Sequence, residues 1–220
     1  MIRALKVLFK FILWFLLVTI VWVLAYRFVP PPVTATMILD GHGITKDWMS
    51  LSRMDPDMAV AAVAAEDGNF CLHDGFDYTA IREVWRERQS GVRRRGGSTI
   101  SQQTAKNAFL WQGGGWFRKG LETYFTALIE LTWPKRRIVE VYLNIAETGI
   151  GTYGVNAGAM RYFDHDASRL SESEAARIAA VLPDPKRRPG RNPSGWTARY
   201  GTMIERRMRQ IRGSESTACL

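Results

Sequence analysis

Apolar positions along the chain fall into two patterns. The first is continuous: FILWFLLVTIVWVLAY, Phe11 to Tyr26, carries no charge, and apolar residues extend through Phe28 and Val29 to Pro30–Pro32. With the apolar residues before Lys10, this run is long enough to span roughly 30 Å of hydrocarbon as a helix. The second pattern, from about Met37 onward, is periodic. In DPDMAVAAVAAE, Asp55 is placed to cap a helix with Pro56 at its first position. Small apolar residues cover nearly the whole circumference of that helix, which predicts burial. Asp77 can cap a helix running through Ile81 and Trp85; Ser98 or Thr99 can cap the next, which carries Ile100, Ala105 and Phe109. Leu121, Phe125, Leu128 and Thr132 share one helical face, and Ile138, Val141, Tyr142 and Ile145 resume the pattern after Pro134. SESEAARIAAVLP opens with Ser171 and Glu174 spaced as a capping box, and a basic helix is predicted over 197–212. No two alternating runs are joined by a hairpin signal. The expected fold is mainly α: an N-terminal segment 1–10, an anchor 11–29, a stiff linker 30–36, one helical domain 37–212, and a tail 213–220 expected to fray.

Charge gives the anchor a direction. Arg3, Lys6 and Lys10 precede it and Arg27 alone directly follows, so the N-terminus is expected in the cytoplasm and the rest outside, as a single-pass protein of the inner (cytoplasmic) membrane. A cleaved signal peptide would have a shorter apolar core, and VTATM is a weak cleavage site. The net charge of +9 suits nucleic acid, an anionic membrane surface or an anionic substrate. Export argues against nucleic acid as the partner. For Cys71 and Cys219 a bridge and a free thiol are equally open, and neither receives a role.

RRRGGSTISQQTAKN, Arg93 to Asn107, contains four cationic side chains, four hydroxyls and no carboxylate. Such a run seeks an anion, yet GxxxxGK[ST] is absent. Glu66 and Asp67 end the predicted buried helix, where desolvation raises a carboxyl pKa toward that of a general acid or base. At a helix C-terminus an acid pair also opposes the macrodipole, although both acids could simply point to water. Glu122 shares a helical face with Arg118 and Lys119, either as a surface ion-pair cluster or as part of a site; Glu140 reads as structural. LPDPKRRPGRNPSG, from Leu182 to Gly195, reads foremost as a solvated basic connection. GGG at Gly113–Gly115, between Trp111 and Trp116, is either a lid or a loop with inward-packed tryptophans. His42, His73 and His165 lack HExxH spacing, FDHD reads as a polar turn, and no Ser-x-x-Lys occurs, so neither zinc hydrolysis nor acyl-serine chemistry is expected.

EDGNFCLHDGFD (from Glu66), GGSTISQQTAKN (from Gly96), RKGLE (from Arg118) and KRRIVEVYLN (from Lys135) occur in the order and spacing of the peptidoglycan glycosyltransferases, and YGVNAGAMRYF and EAARIAAVLPDP are similar to the family's later segments. The resemblance covers about Met37 to Pro193 and points to the monofunctional branch, without a transpeptidase domain. It implies a lysozyme-like α-helical domain with a smaller membrane-contacting lobe. It also implies a polymerase that joins lipid-linked disaccharide-pentapeptide with inversion, releasing polyprenyl diphosphate, the anion that the basic stretch seeks. By resemblance Glu66 is the general base and Glu122 the second important glutamate. Lys106, Arg118 and Lys119, with Ser98, Thr99, Gln102 and Gln103, would bind the substrate, and Asp67 and Asn144 would hold the geometry. No cofactor is required, although a divalent cation, Mg or Mn, is compatible with the diphosphate. Partners would be the lipid-linked precursor, the nascent glycan, the inner membrane and other wall-synthesis or division proteins. Relatives usually carry Arg-Ser where this chain has Gly114-Gly115; Arg118 or Arg93–Arg95 could substitute for that arginine. Two rivals stay open: a lytic transglycosylase or lysozyme-like hydrolase, which also uses carboxylates, and a non-catalytic wall-synthesis scaffold.

Overall fold

In a computed structural model, which describes residues 2–89 and 97–220, the apolar run forms helix α1 (Ile2–Phe28). At 27 residues it is about 40 Å long and starts well before the predicted 11–29, because Arg3, Lys6 and Lys10 are good helix formers that continue the backbone ladder. It is long and apolar enough to cross a membrane, and Phe9, Phe11 and Trp14 along it are exposed. Its C-terminal part is docked. The Thr19 hydroxyl lies 2.7 Å from that of Tyr124, the Trp133 indole donates to Val23 O at 2.9 Å, and Arg137 donates to Tyr26 O at 2.8 Å and Val29 O at 2.9 Å. Trp22 and Tyr26 pack on Phe109, at ring distances of 5.2 and 5.6 Å.

The predicted linker 30–36 is partly structured. Lys46 donates to Pro32 O at 2.9 Å, and Thr34 caps α2 (Ala35–Leu39). Then follow β1 (Thr45–Lys46), α3 (Pro56–Glu66), α4 (Tyr78–Gln89), α5 (Ile100–Phe109), α6 (Gly115–Thr132) and α7 (Lys135–Ile145). After β2 (Glu147–Gly149) and β3 (Thr152–Tyr153) come α8 (Val155–Phe163), α9 (Glu172–Val181) and α10 (Gly195–Ile211). The predicted caps form. Asp55 accepts from Asp57 N, Asp77 from Ala80 N, and the Ser171–Glu174 box closes on itself.

Helix α3 is enclosed by α9 and α10. Ala59, Ala61, Ala62 and Ala64 on α3 and Ala175, Ala176, Ala179 and Ala180 on α9 are all buried, and their small side chains let the helix backbones approach closely. Helix α5 packs on α6 and α7, and α1 on α6. A three-stranded sheet in the order β1-β3-β2, parallel then antiparallel, joins these groups; its strands are too short to leave an alternating signature. Gly154, just after β3, has φ +86°, and a Cβ there would lie 2.8 Å from Asn144 O, so that turn requires glycine.

The tail is the main correction. Cys71 and Cys219 form a disulfide with a Cα separation of 5.5 Å, which ties a 3₁₀ turn at Glu215–Thr217 to another at Phe70–Leu72. Segment 213–220 is therefore stapled to the body of the fold, where it was expected to fray. The two tryptophans flanking the glycine loop divide the alternatives: Trp111 packs against the core, whereas Trp116 is 92% exposed. Exposed apolar side chains also include Trp85 on α4 and Phe117 and Leu131 on α6, the helix against which α1 docks.

Candidate active site

Helix α3 ends at the wall of a cleft of about 1380 Å³. Its last turn leaves carbonyls that need partners, and α10 supplies them: the Tyr200 hydroxyl donates to Ala65 O at 2.8 Å and Arg207 to Ala64 O at 3.5 Å. Glu66, half-buried at this end, accepts a hydrogen bond from Gln103 at 2.7 Å through Oε2, and its Oε1 is buried without a protein partner. Desolvation pushes its carboxyl up, opposed by the Gln103 hydrogen bond and by the charges of Arg188 and Lys106. Gln103 is itself held by the Tyr142 hydroxyl at 3.5 Å.

Asp67 is not a second reactive acid. Its two oxygens take His73 Nε2 and Ile100 N, both at 2.9 Å. Because His73 Nδ1 accepts from Gly75 N at 3.1 Å, Nε2 carries the proton and donates to Asp67. These bonds tie the loop after α3 to the start of α5. Lys135 adds bonds to His73 O at 2.5 Å and to Glu130 at 2.8 Å. Asn144 is fully buried and clamps the chain after β1, accepting from Met49 N and donating to Met49 O and Glu140 O, each at 2.8 Å. Asp67 and Asn144 thus join segments of the chain around the cleft end of α3 and after β1.

The expected substrate-binding residues separate. Ser98, Gln103 and Lys106 line the cleft, and burial pushes the Lys106 ammonium pKa down, with Glu122 the main charge opposing the shift. Thr99 and Gln102 are a correction: both are buried in a reciprocal capping box at the start of α5, and the Thr99 hydroxyl donates to Gly75 O at 2.7 Å. Their polar groups are spent on the helix end. Arg118, Lys119 and Glu122 form a cluster on α6 outside the cleft lining; buried Glu122 accepts from Arg118 at 2.7 Å and from Lys119. Arg118 also donates to Gly113 O, which ties down the glycine loop. At Gly114 φ is +83° and a Cβ would lie 2.9 Å from that of Arg118, so the departure from Arg-Ser is matched by the backbone. Arg93–Arg95 lie outside the described residues.

Part of the cleft lining was missed from sequence. Leu182 to Lys186 and Arg188, read as a solvated connection, line the cleft with Trp196, Tyr200, Glu147 and Tyr153. Arg188 stacks 4.0 Å over Trp196, whose ring lies 4.5 Å from that of Tyr200. Only a composition cue, aromatics beside a basic loop, was available for this part.

Residues 34–208 match the Transglycosylase family. The chain is 46% identical over 189 residues to a biosynthetic peptidoglycan transglycosylase of Caulobacter vibrioides, covering 83% of this chain and 82% of the relative. Proteins of the same description from Rhodospirillum centenum and Pseudomonas putida are also 46% identical, covering 89% and 92% of this chain and 87% and 89% of their own lengths. With most of both chains aligned and a buried carboxylate beside an ammonium in the cleft, the chain belongs to the transglycosylase family and is a glycosyltransferase enzyme.

Proposed function

We propose that the enzyme polymerises peptidoglycan glycan from lipid-linked disaccharide-pentapeptide, with inversion at the anomeric carbon. Glu66 takes the proton from the 4-hydroxyl of an acceptor N-acetylglucosamine. The resulting oxygen attacks C1 of the N-acetylmuramic acid that ends the growing chain, and polyprenyl diphosphate departs. The observation that carries this reading is the Glu66 carboxylate itself: desolvated, oriented by Gln103 through one oxygen, and with the other directed into a cleft that also holds Lys106. Burial strengthens the base, and Asp67, with both oxygens engaged, is not available as its partner carboxylate. A diphosphate leaving group needs charge stabilisation more than a proton. Lys106 supplies a cation in the cleft, with Ser98 as a neutral donor, and Glu122 holds Arg118 and Lys119 in a fixed cluster next to it.

Mg or Mn could accompany the diphosphate, but no group of three or more His, Cys, Asp or Glu among the described residues is arranged to hold a metal. The donors at the phosphate side are cations, so the residues present do not fit a protein-held ion. We place α1 across the inner membrane with Arg3, Lys6 and Lys10 in the cytoplasm. The exposed apolar face of α6 would then lie at the outer surface, and the disulfide supports an oxidising compartment for the catalytic domain. The membrane, the nascent glycan and other wall-synthesis or division proteins are the partners this placement suggests. The test uses full-length protein in detergent with the lipid-linked precursor, following glycan length on a gel beside Glu66→Gln. Long glycan from the wild type alone is expected. Precursor bound but never polymerised would leave a scaffold, and cleavage of preformed glycan would leave a hydrolase.

A further inference from the structure

Thr36 Oγ1, Glu66 Oε1, Glu147 Oε1 and the Tyr153 hydroxyl oxygen are buried polar atoms without a protein hydrogen-bond partner, and all four residues line the same cleft. Buried polar groups are nearly always paired, so an acceptor left open on a cleft wall marks a place for a ligand donor. Glu66 has its role; Glu147 has none so far. It sits on β2 directly after α7, and a backbone N–H of Gly151 supports its carboxylate. Burial pushes its carboxyl up. The charges around it are Asp40 at the end of α2, His42 after it and Lys186 from the 182–194 loop. Lys186 is bound to Asp40, which also takes His42 Nδ1 at 3.2 Å. Glu147 belongs to no ion pair among the described residues, and the Tyr153 hydroxyl beside it faces Asp40. The nearest cation is therefore already engaged, and the open oxygen suits an uncharged N–H or O–H.

We infer that Glu147 is a substrate-positioning residue, its Oε1 accepting a hydrogen bond from an acetamido N–H or a hydroxyl of a sugar ring held in the cleft with Glu66. Thr36, which also lines the cleft, offers a hydroxyl that can donate to or accept from the same ring. This assignment rests on the glycan-polymerase reading and deepens it. The cleft then has two functions: Lys106 on α5 carries the cation for the leaving diphosphate, while Glu147 and Thr36 fix the sugar whose hydroxyl Glu66 deprotonates.

The test compares wild type with Glu147→Ala and Glu147→Gln, full-length in detergent, on lipid-linked disaccharide-pentapeptide. Loss of a contact made in both ground and transition states raises KM more than it lowers kcat; about a tenfold KM rise is expected for Glu147→Ala. Glu147→Gln, whose carbonyl still accepts, should recover part of it. A merely structural role would instead lower the unfolding temperature and kcat together with no rescue by glutamine, and that overturns the inference. Wild-type KM in both variants overturns it as well. With precursor acetylated on the stem-peptide amine, the Glu147→Ala penalty should persist; if it vanishes, Glu147 reads a peptide ammonium and not the sugar. Should the wild type itself make no polymer, the polymerase reading fails. Precursor titration of Glu66→Gln against the Glu66→Gln/Glu147→Ala double variant then decides the inference, through an affinity loss or its absence.

Discussion

Removing the Cys71–Cys219 disulfide is the perturbation whose size is best defined by the fold. The bridged residues are 148 apart, and closing a loop of that length removes about 5 kcal/mol of conformational freedom from the unfolded chain. Losses measured for native disulfides are about 2–5 kcal/mol, which for a domain of this size corresponds to a fall in Tm of roughly 5–20 °C. The effect should be uneven. Without the bridge the tail keeps local bonds such as Thr217 Oγ1 to Ile211 O at 2.9 Å, but it loses its covalent hold on the turn at Phe70–Leu72. That turn lies between Asp67 and His73, the pair that supports the Glu66 end of α3. The double variant Cys71→Ser/Cys219→Ser should therefore melt earlier by circular dichroism and exchange amide hydrogens faster over 67–77 and 213–220. Thiol titration of the unfolded wild type should find no free sulfhydryl before reduction. A double variant that melts within about 2 °C of the oxidised protein, with unchanged exchange at 67–77, would refute the loop-closure reasoning.

Three further perturbations probe the cleft. As the base proposed above, Glu66 would work ionised, and burial raises its pKa, so the rate should fall as pH drops through a value above the ordinary carboxylate range; Gln103→Leu removes the hydrogen bond that opposes the rise and should move this acid limb to higher pH in a rate profile. Asp67→Ala strands His73 Nε2–H and Ile100 N, and the loss of two buried partners should cost roughly 2–4 kcal/mol in denaturant unfolding, together with most of the activity. Glu122→Gln leaves Arg118 and Lys119 without their counter-charge, so polymerisation should fall at least about tenfold while precursor binding in a Glu66→Gln background weakens less; equal losses in both would place Glu122 in ground-state binding.

Much of the α framework could be read locally because each signal lies within one or two turns. Asp55 before Pro56, Asp77 before Ala80 and Ser171 with Glu174 all form the caps their spacing predicts. The all-round small-residue pattern of α3 correctly implied burial, since only a helix surrounded by other helices needs no polar face. What escaped is non-local. The strand pairing Thr45↔Thr152 and the bond between Cys71 and Cys219 join segments more than a hundred residues apart. Thr99 and Gln102 show a subtler failure: a donor-rich stretch suggests ligand contacts, yet a hydroxyl and an amide three residues apart at a helix start each accept from the other residue's backbone N–H first. The lining that carries Glu147, Arg188 and Trp196 has no linear motif, because loop, strand and helix each contribute a residue or two.

The same non-local construction gives Glu66 the surroundings that the proposed base would need. A glutamate at the end of an isolated helix would face both water and the negative end of the dipole, and would stay a weak, solvated base. Here α10 covers that end. Tyr200 and Arg207 take the carbonyls of Ala65 and Ala64, reducing the negative field at the terminus and excluding water from one side of Glu66. The alanines of α3 and α9 allow the close packing that brings this helix end against its neighbours. Gln103 then fixes the direction of the carboxylate, and the charges of Arg188 and Lys106 oppose the upward shift that desolvation causes. Each contribution is small and opposes another. A carboxylate raised in affinity for a proton, yet held by a donor and opposed by nearby cations, needs that convergence, which a helix terminus provides only when residues from α5, the 182–194 loop and α10 meet on it.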